Sequence, residues 1–157
     1  MSSEVSSKVA VVMGSVSDED VMKRCIEYLK YFSIPYEVHV MSAHREPDRV
    51  DEFAEKAEER GICVVIAGAG MAAALPGVIA SKTTIPVIGV PLDASPLNGM
   101  DAVYSILQMP PGIPVGTVAI GSAGAKNAAV LAAEIIALQD PDLRKRLREF
   151  RRRGSKI

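Results

Sequence analysis

Ser42, His44 and Arg45 place a hydroxyl, an imidazole and a guanidinium in one short segment. They follow a stretch of β-branched and aromatic residues at 36–41, which predicts a strand that ends where a helix is about to begin. Ligands of open α/β sheets bind beyond the carboxyl ends of the strands, so chemistry is expected in this loop. An imidazole that exchanges a proton near neutral pH, next to an anion-binding guanidinium, indicates acid–base chemistry on a phosphorylated substrate.

Only one of the two histidines is a candidate catalyst. His39 lies in the middle of the predicted strand, where a structural role is favoured, whereas His44 follows the strand. Arg45 has an alternative interpretation as the ion-pair partner of Glu46 or Asp48. An arginine after a strand end is nevertheless well suited to a bidentate hold on phosphate.

The loop after the first predicted strand also has the composition of a binding segment. Gly14 lets the backbone approach a ligand, and Ser15 and Ser17 place hydroxyls at the start of a helix whose free N–H groups favour an anion. Asp18 either caps that helix or binds sugar hydroxyls, and a purely capping role for Ser17 or Asp18 remains the alternative. The segment is neither G-x-G-x-x-G nor a P-loop, which disfavours a dinucleotide cofactor.

Small residues dominate the third loop, 67–77, and leave backbone amides exposed around Ala69 and Gly70. Such a surface suits a flat ring, although tight helix–sheet packing alone would select the same residues. The segment 91–99 is rich in turn-forming residues and predicts a lid or a subunit contact. Residues 109–114 form rigid turn material with a candidate cis proline bond and no assigned chemistry.

Hydrophobic patterning predicts an α/β fold. Five short strands are expected at 8–13, 36–41, 62–67, 86–90 and 116–120, and most are continuous apolar runs typical of parallel strands covered on both faces. Amphipathic or alanine-rich helices are expected between them, around 21–32, 50–57, 72–81, 99–108 and 125–138, with a last one opening at Pro141. The alternation predicts a three-layer αβα sandwich, flavodoxin-like or Rossmann-like, around a five-stranded parallel sheet.

Composition indicates one domain over residues 1–157, with a flexible N-terminus over 1–7. A net charge of −1 gives no reason to expect nucleic acid or a membrane as partner. Residues 141–157 are basic, with eight Lys or Arg against two acidic residues, and predict a solvated terminal helix or a subunit-docking arm. Cys25 and Cys63 have no C-x-x-C spacing and are expected to be core residues in a reducing cytoplasm.

Six motifs occur in register along the chain: Gly14-Ser15-Val16-Ser17-Asp18, Ser42-Ala43-His44-Arg45, Ala67-Gly68-Ala69-Gly70, Leu75-Pro76-Gly77, Leu97-Asn98-Gly99 and Ser105-Ile106-Leu107-Gln108-Met109-Pro110. In that order and spacing they resemble the N5-carboxyaminoimidazole ribonucleotide (N5-CAIR) mutase family, the class I phosphoribosylaminoimidazole carboxylase catalytic subunits of purine biosynthesis. The resemblance implies transfer of a carboxylate from the exocyclic nitrogen to ring carbon 4 of aminoimidazole ribonucleotide (AIR), without cofactor or metal. It also implies a cytoplasmic homo-octamer, a C-terminal helix that reaches a neighbouring subunit, and functional coupling to N5-CAIR synthetase.

The same resemblance assigns roles to site residues. His44 is expected to be the proton-transferring catalyst. Ser15, Asp18 and Arg45 are expected to hold the ribose phosphate portion, and Ser17 and Ser42 to add hydroxyl contacts. The backbone around Ala69 and Gly70 is expected to line the ring and the carbon dioxide site. Ribonucleotide is thus the expected small-molecule partner.

One departure from the family pattern leaves the exact reaction open. Members of the mutase class usually have histidine where this chain has Ala74, and glycine is common where it has Met71. Two alternatives to the mutase therefore remain. One is a direct carboxylase that joins carbon dioxide to AIR, and the other is a non-catalytic nucleotide-binding or flavin-binding module of the same architecture.

Overall fold

The computed structural model describes residues 7–157. Residues 1–6 lie outside the described residues, and with them nearly all of the segment 1–7 that was expected to be flexible. Five strands are present: β1 Lys8–Met13, β2 Tyr36–Val40, β3 Ile62–Gly70, β4 Val87–Leu92 and β5 Gly116–Thr117. Six α-helices surround them: α1 Glu19–Tyr31, α2 Pro47–Lys56, α3 Leu75–Lys82, α4 Met100–Leu107, α5 Gly121–Ile136 and α6 Pro141–Arg152.

All strand pairs are parallel and the strand order is β2-β1-β3-β4-β5. This is the flavodoxin-like order, so the predicted fold class is confirmed. The order reverses direction beside β1, and the loops that follow β2, β1 and β3 therefore lie next to one another at the carboxyl edge of the sheet. The candidate catalytic and binding residues predicted from the sequence lie in these loops.

Two hydrophobic cores cover the two faces of the sheet and explain why the strands are so apolar. Val9 and Val11 of β1 face one core, which includes residues of α1, α5 and α6. Ala10 and Val12 face the other, which includes residues of α2, α3 and α4. Because successive side chains of a strand point to opposite faces, a strand buried on both sides needs an unbroken apolar sequence.

Some predicted boundaries are wrong for reasons that depend on the tertiary structure. Strand β5 is short: Gly116 and Thr117 pair with Ile88 and Gly89 of β4, and the N–H of Val118 donates one further bond to the Gly89 carbonyl. The chain then turns through Gly121, at φ 71°, into α5. Helix α5 therefore begins four residues before the predicted start at 125. Residues 7–157 contain no cis peptide bond, so the expectation of a cis proline in 109–114 is also wrong.

The basic C-terminal helix packs its apolar face on its own chain. The ring of Phe150 lies 5.2 Å from that of Phe32 and 6.0 Å from that of Tyr28, centroid to centroid. Arg144 reaches back to the carbonyl of Ala137 at 2.8 Å. Any contact of α6 with a neighbouring subunit, which stays a prediction, would therefore use its outer, charged face.

His39 has the structural surroundings expected of it. Its Nε2 lies 2.7 Å from Oε1 of Glu37, and its ring centroid lies 4.9 Å from that of Phe53. Glu37 also binds Lys8 and Arg60, at 2.8 and 2.6 Å. His39 is thus bound to a carboxyl group of β2 that also pairs with Lys8 of β1 and with Arg60.

Candidate active site

A cavity of about 510 Å³ opens at the carboxyl ends of β1, β2 and β3. It is lined by residues of all three loops that follow these strands. All eight residues to which the sequence assigned a role contribute to the lining: Ser15, Ser17, Asp18, Ser42, His44, Arg45, Ala69 and Gly70. The sheet order brings them together, although they are spread over 56 positions of the sequence, from 15 to 70.

The first loop is organised by a reciprocal pair of hydrogen bonds. Ser15 caps the short 3-10 turn Val16–Asp18: its Oγ accepts the N–H of Ser17 at 3.3 Å, while its own N–H donates to Oδ2 of Asp18 at 3.0 Å. Asp18 occupies the N-cap position of α1 without a side-chain capping bond. Of the two roles considered for Asp18, capping is thus seen in the turn that leads into α1, where the carboxylate accepts the Ser15 N–H.

Burial changes the acidity of this carboxyl group. Partial desolvation raises the pKa of Asp18, and the hydrogen bond from the Ser15 N–H only partly offsets it. Asp18 therefore accepts a proton more readily than an exposed aspartate does. Its position suits hydrogen bonding to sugar hydroxyls at the cavity wall.

The second loop fixes its backbone through Ser42 and leaves its two cavity-facing side chains free. Ser42 Oγ accepts the N–H of Arg45 at 3.2 Å, and the Ser42 carbonyl accepts the N–H of Glu46 at 2.8 Å. The imidazole of His44 makes no hydrogen bond within residues 7–157. Both His44 and Arg45 are exposed to the cavity, so both are available to a ligand.

The guanidinium of Arg45 forms no ion pair with another side chain of the described residues. Glu46, one alternative partner, instead accepts a bond from Arg49 at 2.9 Å, and this bond holds the pKa of Glu46 below its usual value. No ion pair joins Arg45 to Glu46, to Asp48 or to any other residue of the described part. The alternative interpretation of Arg45 as an internal ion-pair partner is therefore wrong.

The third loop forms the less polar wall. A Cβ added to Gly70 would lie 2.6 Å from Cβ of Ala94, so the end of β3 and the segment after β4 are in close contact. Tight packing is thus one reason for the small residues. Ala72, Ala73 and Ala74 then line the cavity with methyl groups alone.

Sequence reasoning did not assign roles to several lining residues. Met71 is the most distinctive, since its backbone has φ 56° and its side chain is 58% exposed. A methionine within a run of glycine and alanine was the signal that could have identified it. Ala43, Leu75 and Ala94 also line the cavity, and their apolar side chains offered no such signal.

The arrangement combines one imidazole, one guanidinium, three hydroxyls and one carboxyl group, facing an apolar wall. Such a site suits an anionic ligand with a flat apolar portion and an acid–base step near the imidazole. Within residues 7–157, no group of three or more His, Cys, Asp or Glu side chains is arranged to hold a metal ion. Over the same residues, no helix has the length and apolar character needed to cross a membrane.

Comparison with known families identifies the family to which the chain belongs. The model of the family described as AIR carboxylase matches residues 8–156. The chain belongs to the AIR carboxylase family.

Curated relatives within the AIR carboxylase family are close. Proteins of Escherichia coli K12 and Pyrococcus abyssi are 55% and 56% identical to this chain, covering 92% of it and 86% and 82% of their own lengths. A protein of Bacillus subtilis is 55% identical over 91% of this chain and 88% of its own. All three are named N5-carboxyaminoimidazole ribonucleotide mutase.

A solved structure shares the architecture of this AIR carboxylase family member. The crystal structure of Treponema denticola PurE superposes with a TM-score of 0.85 at 30% sequence identity, covering 94% of this chain and 91% of that one. The family resemblance drawn from the six motifs is thus confirmed. The matched region of the family model includes the three loops that form the cavity.

Proposed function

We propose that this protein is an N5-CAIR mutase that moves a carboxylate from the exocyclic nitrogen to ring carbon 4 of aminoimidazole ribonucleotide. Relatives of that name, 53–56% identical over most of the chain, support the proposal. The single structural observation behind it is the cavity in which the imidazole of His44 lies beside the guanidinium of Arg45, neither of them paired with another side chain of residues 7–157. An imidazole that is free to exchange a proton beside an anion-binding guanidinium is what an acid–base step on a phosphorylated substrate requires.

The proposed reaction needs one group that first gives a proton to the substrate and later takes a proton from it. The N–C bond of the substrate breaks, the carboxylate leaves as carbon dioxide, and the exocyclic nitrogen takes a proton from His44. Ring carbon 4 then attacks carbon dioxide to form the new C–C bond, and the proton on that carbon passes to His44, which restores the aromatic ring. Histidine suits both steps because its reference pKa, about 6.5, lies close to neutral pH.

Binding is assigned to the polar part of the cavity. Arg45 holds the phosphate, because a planar guanidinium offers two parallel donors and this one has no partner within the described chain. Ser15 and Asp18 complete the hold on the ribose phosphate portion. Ser17 and Ser42 add hydroxyl contacts, as expected from the resemblance.

The third loop receives the reacting portion of the substrate. Backbone around Ala69 and Gly70 lies against the ring and the carbon dioxide. The methyl groups of the neighbouring alanines suit carbon dioxide, which is itself apolar. The proposed mechanism needs no cofactor, because every proton it moves passes through His44.

Two substitutions separate catalysis from binding. His44→Asn is expected to abolish turnover of N5-CAIR while leaving ribonucleotide affinity largely unchanged, because an amide cannot exchange the proton. Arg45→Ala is expected to weaken ribonucleotide binding by roughly tenfold to 100-fold, since bonds to charged groups contribute about 1.5–3 kcal/mol. Steady-state kinetics and calorimetric titration measure the two effects.

Arg49→Ala is the matched control for Arg45→Ala. Arg49 lies four residues further along, is bound to Glu46 and does not line the cavity. Its removal is expected to leave affinity unchanged. Substantial turnover by His44→Asn, or equal effects of the two arginine substitutions, would contradict the proposed roles.

A second candidate, direct carboxylation of AIR with carbon dioxide, is favoured by one observation. Position 74 lines the cavity as alanine, so His44 is the only imidazole in the lining. The two candidates differ in substrate. N5-CAIR and AIR with bicarbonate should therefore be supplied separately, and turnover of AIR alone would select the carboxylase.

The proposal extends to a cytoplasmic homo-octamer that receives its labile substrate from N5-CAIR synthetase. An exposed apolar stripe supports self-association: Met100, Tyr104 and Leu107 follow the outer face of α4, with Tyr104 60% exposed. Spacings of three and four residues place them on one face of the helix. Light scattering measures the mass in solution, and a monomer would contradict this part of the proposal.

A further inference from the structure

Met71 adopts a backbone conformation that is unfavourable for its residue type. Its φ of 56° lies in the left-handed region, where the Cβ of an L-residue comes too close to the following carbonyl oxygen and which glycine adopts without this penalty. Among residues 7–157, the other non-glycine residues with positive φ are Ser33, Asn98 and Ser155, which are all small and polar. Met71 is therefore the only bulky apolar residue of the described chain in this conformation.

The side chain of Met71 is also unfavourably placed in the free protein. It is 58% exposed, whereas Leu75, the other large apolar residue in the cavity lining, is 2% exposed. Its neighbours along the wall, Ala72 to Ala74, have only methyl groups and leave the thioether room to move. Backbone strain and an exposed apolar side chain are thus both present at one position, and strain of this kind concentrates at ligand-binding sites.

We propose that Met71 is a substrate-positioning residue that closes over the flat ring of the bound ligand and shields the reacting carbon from water. The left-handed backbone turns the chain between β3 and α3 and leaves the side chain at the cavity surface. The flexible, polarizable thioether packs well on the face or edge of an aromatic ring. His44 and Arg45, on a different loop, supply the polar contacts. The inference rests on the proposed function.

The proposed chemistry explains why such a cover is useful. After the N–C bond breaks, carbon dioxide has to remain beside ring carbon 4 until the C–C bond forms. If it escapes, the nitrogen keeps the proton it has taken and the products are AIR and carbon dioxide. An apolar side chain above the ring would retain carbon dioxide and exclude water, while the alanine wall alone would leave the cavity open.

The partition of substrate between the two outcomes tests the cover. N5-CAIR labelled with carbon-13 in the carboxylate is supplied in unlabelled bicarbonate, and the labelled carboxylated product and the released AIR are quantified. Met71→Gly is expected to raise the fraction released as AIR by about tenfold, because loss of a sulfur–ring contact and of the shield is comparable to 1.4 kcal/mol. Met71→Gln keeps the length of the side chain but is polar, and it is expected to release a fraction of AIR between those of the wild type and Met71→Gly.

Ser33→Gly is the matched control for backbone strain. Ser33 has the same φ of 56° but follows α1 and does not line the cavity. Both glycine variants are expected to unfold at higher denaturant concentration than the wild type, and only Met71→Gly is expected to release AIR. Partition equal to wild type in both Met71 variants would overturn the inference.

A binding measurement separates failure of the cover from failure of the proposed function. The affinities of wild type and Met71→Gly for AIR and for ribose 5-phosphate are compared by calorimetry, which needs no turnover. The cover predicts weaker binding of AIR by Met71→Gly and unchanged binding of ribose 5-phosphate, which has no ring. If the wild type converts N5-CAIR but both ligands bind equally to the two proteins, the cover is wrong and the proposed function stands. If neither N5-CAIR nor AIR is turned over, the proposed function fails, and the cover, which rests on it, fails with it.

Discussion

Replacing Gly70 by alanine would disturb the cavity through a contact that has no space for a methyl group. The added Cβ would lie 2.6 Å from Cβ of Ala94 and 3.4 Å from the carbonyl oxygen of Leu92. Carbon atoms normally approach to about 3.5–4.0 Å, so the separation falls short by roughly 1 Å. Ala94 has a side chain of one carbon and cannot rotate away, and the backbone after β4 therefore has to move.

This displacement sets the expected magnitudes. Overpacking of this kind costs about 1–3 kcal/mol, and a loss of 2 kcal/mol lowers Tm by about 4–8 °C in a chain of this size. Ala94 also lines the cavity, so its movement widens the site next to the ring-binding wall. Misplacement of a binding wall by about 1 Å lowers kcat/KM by up to roughly 100-fold.

Gly68→Ala provides a matched comparison on the same strand. Its added Cβ would meet the sulfur of Met22 at 2.5 Å, which is an equally severe overlap. Met22 is fully buried, but its end is flexible, and neither residue lines the cavity. Gly68→Ala is therefore expected to lower stability by about 1 kcal/mol while turnover stays near wild type.

Urea unfolding and steady-state kinetics of both variants complete the test. The expected pattern is loss of stability in both proteins and loss of activity only in Gly70→Ala. If Gly70→Ala keeps the wild-type unfolding midpoint and KM, the close contact between the end of β3 and the segment after β4 does not shape the cavity. Equal loss of activity in the two variants would show that general destabilisation is responsible.

Two further predictions concern groups outside the cavity. Burial raises the pKa of Glu37, but the bond from Lys8 and the charge of Arg60 outweigh this and hold the pKa below its usual value. A depressed pKa stabilises the fold above the unfolded-state value of about 4.3, and the gain is lost as pH falls through the folded-state pKa. Glu37→Gln should therefore cost about 1 kcal/mol at pH 7 and progressively less as the pH falls below 4.3, measured by urea unfolding. Burial raises the pKa of Cys25 to about 12 and that of Cys63 by less. A thiol reagent at pH 8 should therefore leave Cys25 unmodified in the native protein and modify Cys63 slowly. In urea both cysteines should be modified, as measured by mass spectrometry.

Controls make both predictions decisive. Glu52 pairs with Lys56 at 2.6 Å but is largely exposed, so Glu52→Gln is expected to leave the unfolding midpoint close to that of the wild type at neutral and at acid pH. A pH-independent cost of Glu37→Gln would contradict the ion-pair explanation. Rapid labelling of native Cys25 would show that the core around α1 opens more readily than its complete burial implies.

The local properties of the chain determined most of the architecture and the positions of the candidate chemistry. Continuous apolar runs predicted the strands, because a strand covered on both faces has no position for a polar residue. His44 and Arg45 could be located from their place after such a run. The family was recognisable for the same reason, since its motifs are short and lie at strand ends.

Only the tertiary structure decided which of these groups are free. The carboxylate of Asp18 accepts the N–H of Ser15 in the turn that leads into α1, and Glu46 is occupied by Arg49, which leaves Arg45 unpaired within the described chain. Each of these outcomes depends on the direction in which a side chain points, and sequence spacing permitted either alternative. The left-handed backbone of Met71 likewise follows from the turn that joins β3 to α3, whose geometry is set by the packing of both elements rather than by the residue itself.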